Sequence, residues 1–453
     1  MIQRGDKKIQ DIIAKSNYIH KAQRDGHEVF EDSDCIHISL YSPSSNSSSS
    51  RYFYINGRKI VINSAYYKEK FHEPWLFGMN PENSDAWFGS GINEIYFIDG
   101  IKNLNSMKNM FANCRITDFS PISGWDTSKV RDLSYMFSGG RLTSLEFLQN
   151  WDISNVEVLS HMFEKCYYIK KVDGIQNWDL SSCNDMSFMF NNTYIDDISS
   201  LEKIDLKNVE NLSFFFANCI SLKDISALAK VDFSKVKNLS GFFMFDSGNP
   251  LIRDYSVLSE AEFSSLENMS GMFKYNYTIG PSHDFLKGWN VSKVKDMSEM
   301  FYNSDISDLS YFDSWDFSSV ESISGMFCRC QIENLKEFFD HPMPKLKDIS
   351  MAFNSNKLTS IEQLADLDVE KFDNIAGIFG NNSGIKDLSP VAGWNLSGKK
   401  SLYGMFSNIE APLNPVANWD TADVEIFDNV LSGTKQDPLQ VSSWKTDTSK
   451  SWY

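Results

Sequence analysis

Seven histidines, seven cysteines and two registers of aspartate are the side chains of this chain with chemistry to offer. The histidines, His20, His27, His37, His72, His161, His283 and His341, are scattered, and none makes the H-x-x-x-H or H-E-x-x-H spacing that would put two imidazoles on a metal. No P-loop, G-x-S-x-G elbow or G-x-G-x-x-G turn is present. Combinations of Ser, Asp and His exist by composition alone and carry no weight. The expectation is no enzyme, with no catalytic residue, no cofactor and no metal.

The cysteines are Cys35, Cys114, Cys166, Cys183, Cys219, Cys328 and Cys330. Four of them, Cys114, Cys166, Cys219 and Cys330, stand three residues after a phenylalanine that closes a recurring phrase. They occupy copies one, three, five and nine, so at about 4.8 Å per stacked coil they would lie roughly 10 Å or more apart, too far for a disulfide. Buried free thiols are expected. Cys328 and Cys330 form a C-x-C without a second ligand pair, a poor zinc site.

One aspartate register contains Asp118, Asp197, Asp224, Asp254, Asp308 and Asp387. The other follows a tryptophan or its aliphatic substitute: Asp126, Asp152, Asp179, Asp205, Asp232, Asp316 and Asp420. Calcium needs several oxygens converging on one point, which a row spaced by coils does not supply. Turn formation and helix capping are the expected roles of the second register.

These registers exist because the chain repeats. Phe111, Phe137, Phe163, Phe190, Phe216, Phe243, Phe273, Phe301, Phe327, Phe353, Phe379 and Phe406 each close a phrase such as WDTSKVRDLSYMF (Trp125 to Phe137). A fixed period in the twenties means stacked units, none of which buries its apolar face alone. Leu222, Ile225, Leu228 and Val231 recur every third residue, which suggests a very short strand and a tight turn, placed at segments such as Ile306 to Ser310 or Ile385 to Ser389. Val130, Leu133, Met136 and Phe137 fall at helical spacing after Asp126, Thr127 and Ser128, so a two-turn helix is expected there. The Trp ladder and the Met-Phe pairs read as core.

The phrase W-D-x-S-x-V-x-x-M-S-x-M-F, then Cys or Asn, resembles the BspA-like leucine-rich repeats of bacterial surface proteins, the mycoplasma lipoprotein-type repeat. The resemblance covers about 92–432. It implies a leucine-rich-repeat fold and a role in adhesion or protein recognition, with no enzyme activity or cofactor. The expected fold is therefore an α/β leucine-rich-repeat solenoid of about twelve or thirteen coils, with short parallel strands on one side and short helices on the other.

Residues 1–91 lack the repeat. Ile9, Ile12, Ile13 and Ile19 suggest an amphipathic helix, Cys35 to Ser42 a strand, Ser42 to Ser50 a flexible loop, and Asn56-Gly57 between apolar runs a hairpin. This region is expected to be a small α+β cap, with an effector domain as the rival reading. Residues 433–453 are expected to be a C-terminal cap or a truncated repeat.

The net charge is −17. It disfavours nucleic acid and anionic membrane, both of which attract basic surfaces, and suits a protein partner with a basic surface. No membrane insertion is expected. As it stands the chain is expected in the cytoplasm, or at the cell surface if a signal has been removed, and as a monomer. The variable residue inside L-S-x-M-F is Tyr135, His161, Phe188 and Phe214 in successive repeats, then Gly241, Gly271, Glu299 and Gly325. Exposed, the four rings would form a partner-binding stripe. The period slips between Phe243 and Phe301, where insertions place Tyr275, Tyr277 and His283 as further contacts. The functional expectation is a non-enzymatic recognition or adhesion module. Its rivals are an effector or toxin targeted by its repeats and a self-assembling scaffold.

Overall fold

The computed structural model describes the backbone of 28–31, 35–40, 50–55 and 58–64, and residues 105–246, 250–277, 279, 284–335 and 338–444. The expected N-terminal helix, most of the serine loop, the start of the first repeat at Ile92, His283 and residues 445–453 lie outside these. The chain divides into two compact units, Met1–Asn208 and Val209–Tyr453.

In the first unit, β1 (Glu28–Glu31), β2 (Cys35–Leu40), β3 (Ser50–Ile55) and β4 (Arg58–Ser64) make one sheet in the order β1-β2-β4-β3. β2 falls on the expected strand. β3 and β4 pair antiparallel with Ile55 opposite Arg58, which leaves two residues for the connection, as the Asn56-Gly57 pair predicts.

The repeats overturn the expected α/β leucine-rich-repeat solenoid. Among their described residues there is no strand longer than an isolated bridge and no α-helix; the regular elements are 3₁₀ turns of three to five residues. The segment expected to be helical shows why. In Asp132 to Gly140, the N–H groups of Leu133, Tyr135, Phe137 and Gly139 donate to Val158, Ser160, Met162 and Glu164 of the next coil, at 2.7–3.0 Å. The alternate N–H groups, of Met136, Ser138 and Gly140, donate three residues back to Leu133, Tyr135 and Phe137. Ser134 donates to the Asp132 carboxylate, 2.8 Å. Every donor from Leu133 to Gly140 is thereby used. A helix would need these same donors for i−4 bonds, and the left-handed backbone of Tyr135 (φ 58°) and Gly139 (φ 68°) interrupts it. The result is a ribbon of alternating turns that bonds sideways like a strand and is shortened like a helix.

The segment expected to be a strand is also a turn. At Ile306 to Ser310 the Ser310 N–H donates to Asp308 (2.9 Å), and a 3₁₀ turn, Ser310–Phe312, comes next. The three-residue apolar step is the 3₁₀ period itself, in which i and i+3 lie on one edge. Leu222, Ile225, Leu228 and Val231 are all buried along it.

Inside each stack the closing phenylalanines form a column. Phe111, Phe137, Phe163 and Phe190 stack at 5.6–5.8 Å between ring centroids, within 12° of parallel. In the second unit Phe273, Phe301 and Phe327 continue the same motif at 5.7 and 5.9 Å. The tryptophans form a second column, and those that follow Trp125 among the described residues each tie two coils by the indole N–H. Trp151 donates to Ile122 O (3.1 Å), Trp315 to Leu286 O (2.8 Å) and Trp419 to Val391 O (3.1 Å). Trp444 stacks on Trp419 at 6.0 Å and continues the ladder. The six cysteines whose side chains are described are buried, and none is joined in a disulfide. The Cys166 and Cys330 thiols donate to Phe137 O and Phe301 O of the preceding coil, 3.0 Å each, and burial pushes the Cys330 thiol up to about 12.

On the surface, the residue before each bridge alternates in sign along the second unit: Glu210, Lys237, Glu267, Lys295, Glu321, Lys347, Asp373, Lys400 and Glu425. Neighbours pair across coils, as in Lys237–Glu210 (2.8 Å), Lys295–Glu267 (2.6 Å), Lys347–Glu321 (3.1 Å) and Lys400–Glu425 (2.9 Å).

Candidate recognition surface

The ribbon decides which side chains face outward. Within L-S-x-M-F, Leu, Met and Phe go inside; x stays partly outside where it carries a side chain and is buried where it is Gly241, Gly271, Gly325, Gly377 or Gly404. The x residue has φ of 54–61° in every copy, whether it is Asn109, Tyr135, His161 or Phe188 in the first unit, or Phe214, Gly241, Gly271, Glu299, Gly325, Met351, Gly377, Gly404 or Asn429 in the second. A second left-handed position lies four residues later and holds Asn113, Gly139, Lys165, Asn192, Asn218, Tyr275, Asn303, Arg329, Ser355, Asn381, Asn408 and Gly433. Glycine is free to adopt this conformation and asparagine tolerates it. A residue with an ordinary side chain gives up about 1–2 kcal/mol there. Bulky residues at these positions are kept against that cost, and such strain concentrates at functional sites.

In the first unit Tyr135 stacks on His161 at 4.1 Å and His161 on Phe188 at 4.4 Å, each pair 8° from parallel. All three are half-buried. Their faces cover one another, with Lys108 Nζ 6.0 Å from the Tyr135 ring, so edges are what the column presents. His161 Nδ1 donates to Glu164 (2.8 Å), and Lys165 pairs with the other carboxylate oxygen (3.0 Å). Burial pushes Glu164 up, but the bonds from His161 and Lys165 outweigh it and hold the carboxyl below its ordinary value. Exposed tyrosines stand further out: Tyr167, Tyr168 and Tyr194, with Tyr167 and Tyr194 at 5.5 Å and Lys170 5.2 Å over the Tyr194 ring.

The fourth expected stripe residue, Phe214, belongs to the second unit, where its ring lies against Gly241 so closely that any Cβ there would overlap it. Tyr275 and Tyr277 come together with residues the sequence did not single out. Tyr275 meets Tyr302 edge-on at 5.4 Å, and the Asn303 amide donates to the Tyr277 hydroxyl (2.6 Å). Lys274, hydrogen-bonded to Glu299, lies 5.0 Å from the Tyr302 ring, and the Arg329 guanidinium 5.9 Å from it. Tyr302, Arg329 and Glu164 were legible only through the register: they stand at or beside left-handed positions that other repeats fill with Asn or Gly.

The acidic registers are engaged locally. Asp152, Asp179 and Asp316 accept the N–H two residues on, at 2.9–3.0 Å, and Asp197, Asp254 and Asp387 do the same at 2.8–3.0 Å. The register after the tryptophan forms turns, as expected, but caps no helix. A third register missed in the sequence, including Asp132, Asp185, Asn238 and Asp348, uses the same bond. Among the described residues no group of three or more His, Cys, Asp or Glu could hold a metal ion, and no helix is long and apolar enough to cross a membrane.

The chain is similar to a family described as Mycoplasma protein of unknown function, DUF285, whose pattern matches residues 105–227, 210–338 and 347–452. No curated protein and no solved structure matches it.

Proposed function

The chain belongs to this mycoplasma repeat family, DUF285, and we propose that it is a non-enzymatic recognition module that binds a protein partner through the outward face of the turn ribbon. Kinship with BspA-like surface proteins is part of the same proposal, confined to the repeat phrase and its adhesive use and not extended to the leucine-rich-repeat fold.

The observation that supports it best is the column Tyr135–His161–Phe188. Each ring sits on a left-handed residue, where glycine serves the same register at Gly241, Gly271 and Gly325 without strain. A chain indifferent to these rings would relieve the strain by replacing them. The stacked faces are closed to a sugar ring, whereas the half-exposed edges and the nearby tyrosines suit the aromatic-rich centre of a protein interface.

The test is capture by chemical cross-linking from the native cell with two baits, the unaltered chain and the double variant Tyr135→Ser/Phe188→Ser. A partner held by the first should be depleted at least about tenfold on the second, because a buried aromatic anchor contributes about 2 kcal/mol or more to an interface. Equal recovery on two baits with matching circular dichroism removes the column from the interface.

A further inference from the structure

We propose that the cluster Lys274–Tyr275–Tyr277–Tyr302–Arg329 in the second unit is a second recognition site, which takes a carboxylate on an acidic peptide segment. This rests on the proposed protein-binding function only in that the ligand is part of a protein; the ring column of the first unit is not involved.

Charge supports this assignment. Lys274 is matched by Glu299. Arg329 is exposed, and its guanidinium has no carboxylate within salt-bridge distance among the described residues. It lies over the Tyr302 ring, 5.9 Å from the centroid. An arginine held by an aromatic face keeps its fork of N–H donors pre-organised for a bidentate carboxylate. Tyr302 has a second cation near its ring, Lys274 Nζ at 5.0 Å, and two cations so close together favour a bound anion. Tyr277 is exposed, and its hydroxyl accepts from Asn303, the residue next to Tyr302 in the chain, so its proton remains to be donated.

Backbone conformation supports it independently. Tyr275, Glu299 and Arg329 have φ of 58°, 55° and 59°. The position of Arg329 is filled by asparagine at Asn113, Asn192, Asn218, Asn303, Asn381 and Asn408, and by glycine at Gly139 and Gly433. Three strained, chemically distinct side chains in three successive coils are what a site retains and a scaffold discards. The chain's overall acidity does not oppose one carboxylate, since charges beyond about 8 Å are screened at physiological salt. It does oppose a polyanion such as nucleic acid, which needs many phosphates neutralised together.

The experiment is fluorescence anisotropy of the full chain with a panel of capped, labelled peptides that differ only in carrying aspartate, asparagine or phosphoserine, beside a single-stranded DNA of similar length. The aspartate peptide should bind at least about tenfold more tightly than its asparagine counterpart. Arg329→Asn should reduce its affinity about tenfold or more, as expected for loss of a charge-assisted bond, and should raise the melting temperature by about 2 °C through relief of strain. A structural arginine would instead lower the melting temperature. Equal binding of the aspartate and asparagine peptides, unchanged affinity in Arg329→Asn, or preference for phosphoserine or DNA would overturn the assignment. Repeating the panel with Tyr135→Ser/Phe188→Ser separates the two proposals. Failure of the peptide on both forms of the chain dismisses the second site alone, and unchanged peptide binding by the double variant leaves the column's role to its own test.

Discussion

At the scale of the residue, the left-handed positions govern both stability and recognition. Gly271 isolates the backbone cost, because a Cβ built there has nothing nearer than 3.9 Å. Gly271→Ala should lose about 1–2 kcal/mol, and Gly271→Asn less, read from thermal melts of the full chain. Phe301 reports on the interior. It stacks between Phe273 and Phe327 with no exposed surface, so Phe301→Ala should cost about 3–5 kcal/mol. The sequence showed which side of the chain these residues occupy. Leu133, Met136 and Phe137 read as core and are buried. It hid their conformation, since Val130, Leu133, Met136 and Phe137 fit a helix equally well by spacing. The contrary signal was Gly241, Gly271 and Gly325 standing in register with Tyr135. It became a statement about φ only once the ribbon was seen.

At the scale of the element, the turns depend on ionised aspartate. Asp197 is held down at about 2, chiefly by the Ser199 N–H and then by the Ser199 hydroxyl and Lys171; Asp179, Asp254, Asp316 and Asp387 are lowered by serine bonds and Asp205 by Lys207. A carboxyl lowered in the folded state contributes stability above its ordinary value near 3.8, and that contribution is lost as pH falls toward the lowered one. Melting temperature should therefore drop between about pH 4 and pH 2. Asparagine makes the same turn without titrating, as Asn290 and Asn395 do toward Ser292 and Ser397. Asp197→Asn/Asp254→Asn/Asp387→Asn should flatten the acid limb, and an unchanged limb would show that these turns do not drive acid unfolding. The turn was readable from sequence in the register after the tryptophan, whereas the register of Asp197, Asp254 and Asp387 read as strand and is a turn as well. The path of the chain beyond each turn was not readable, because the donors that would continue a helix are drawn sideways by a coil about 26 residues away, a competition that no local pattern records.

At the scale of the molecule, the alternating charges of the second unit act as a parity check. Each exposed pair contributes no more than about 0.2–1 kcal/mol, but the row has a period of two coils whereas the core has a period of one. Deleting 295–320 would join Glu267 to Glu321 and set like charges side by side; deleting 267–320 would join Lys237 to Glu321 and keep the alternation. The shorter deletion should be the more salt-responsive, regaining stability in 1 M salt, where screening acts within about 3 Å. Identical salt responses would show that the row is decorative. If the row matters, a gene for such a stack can lengthen or shorten by two repeats without electrostatic penalty but not by one. Unequal exchange between copies would then be filtered toward even steps, and the heritable module would be the pair, though a single coil is all that the packing repeats.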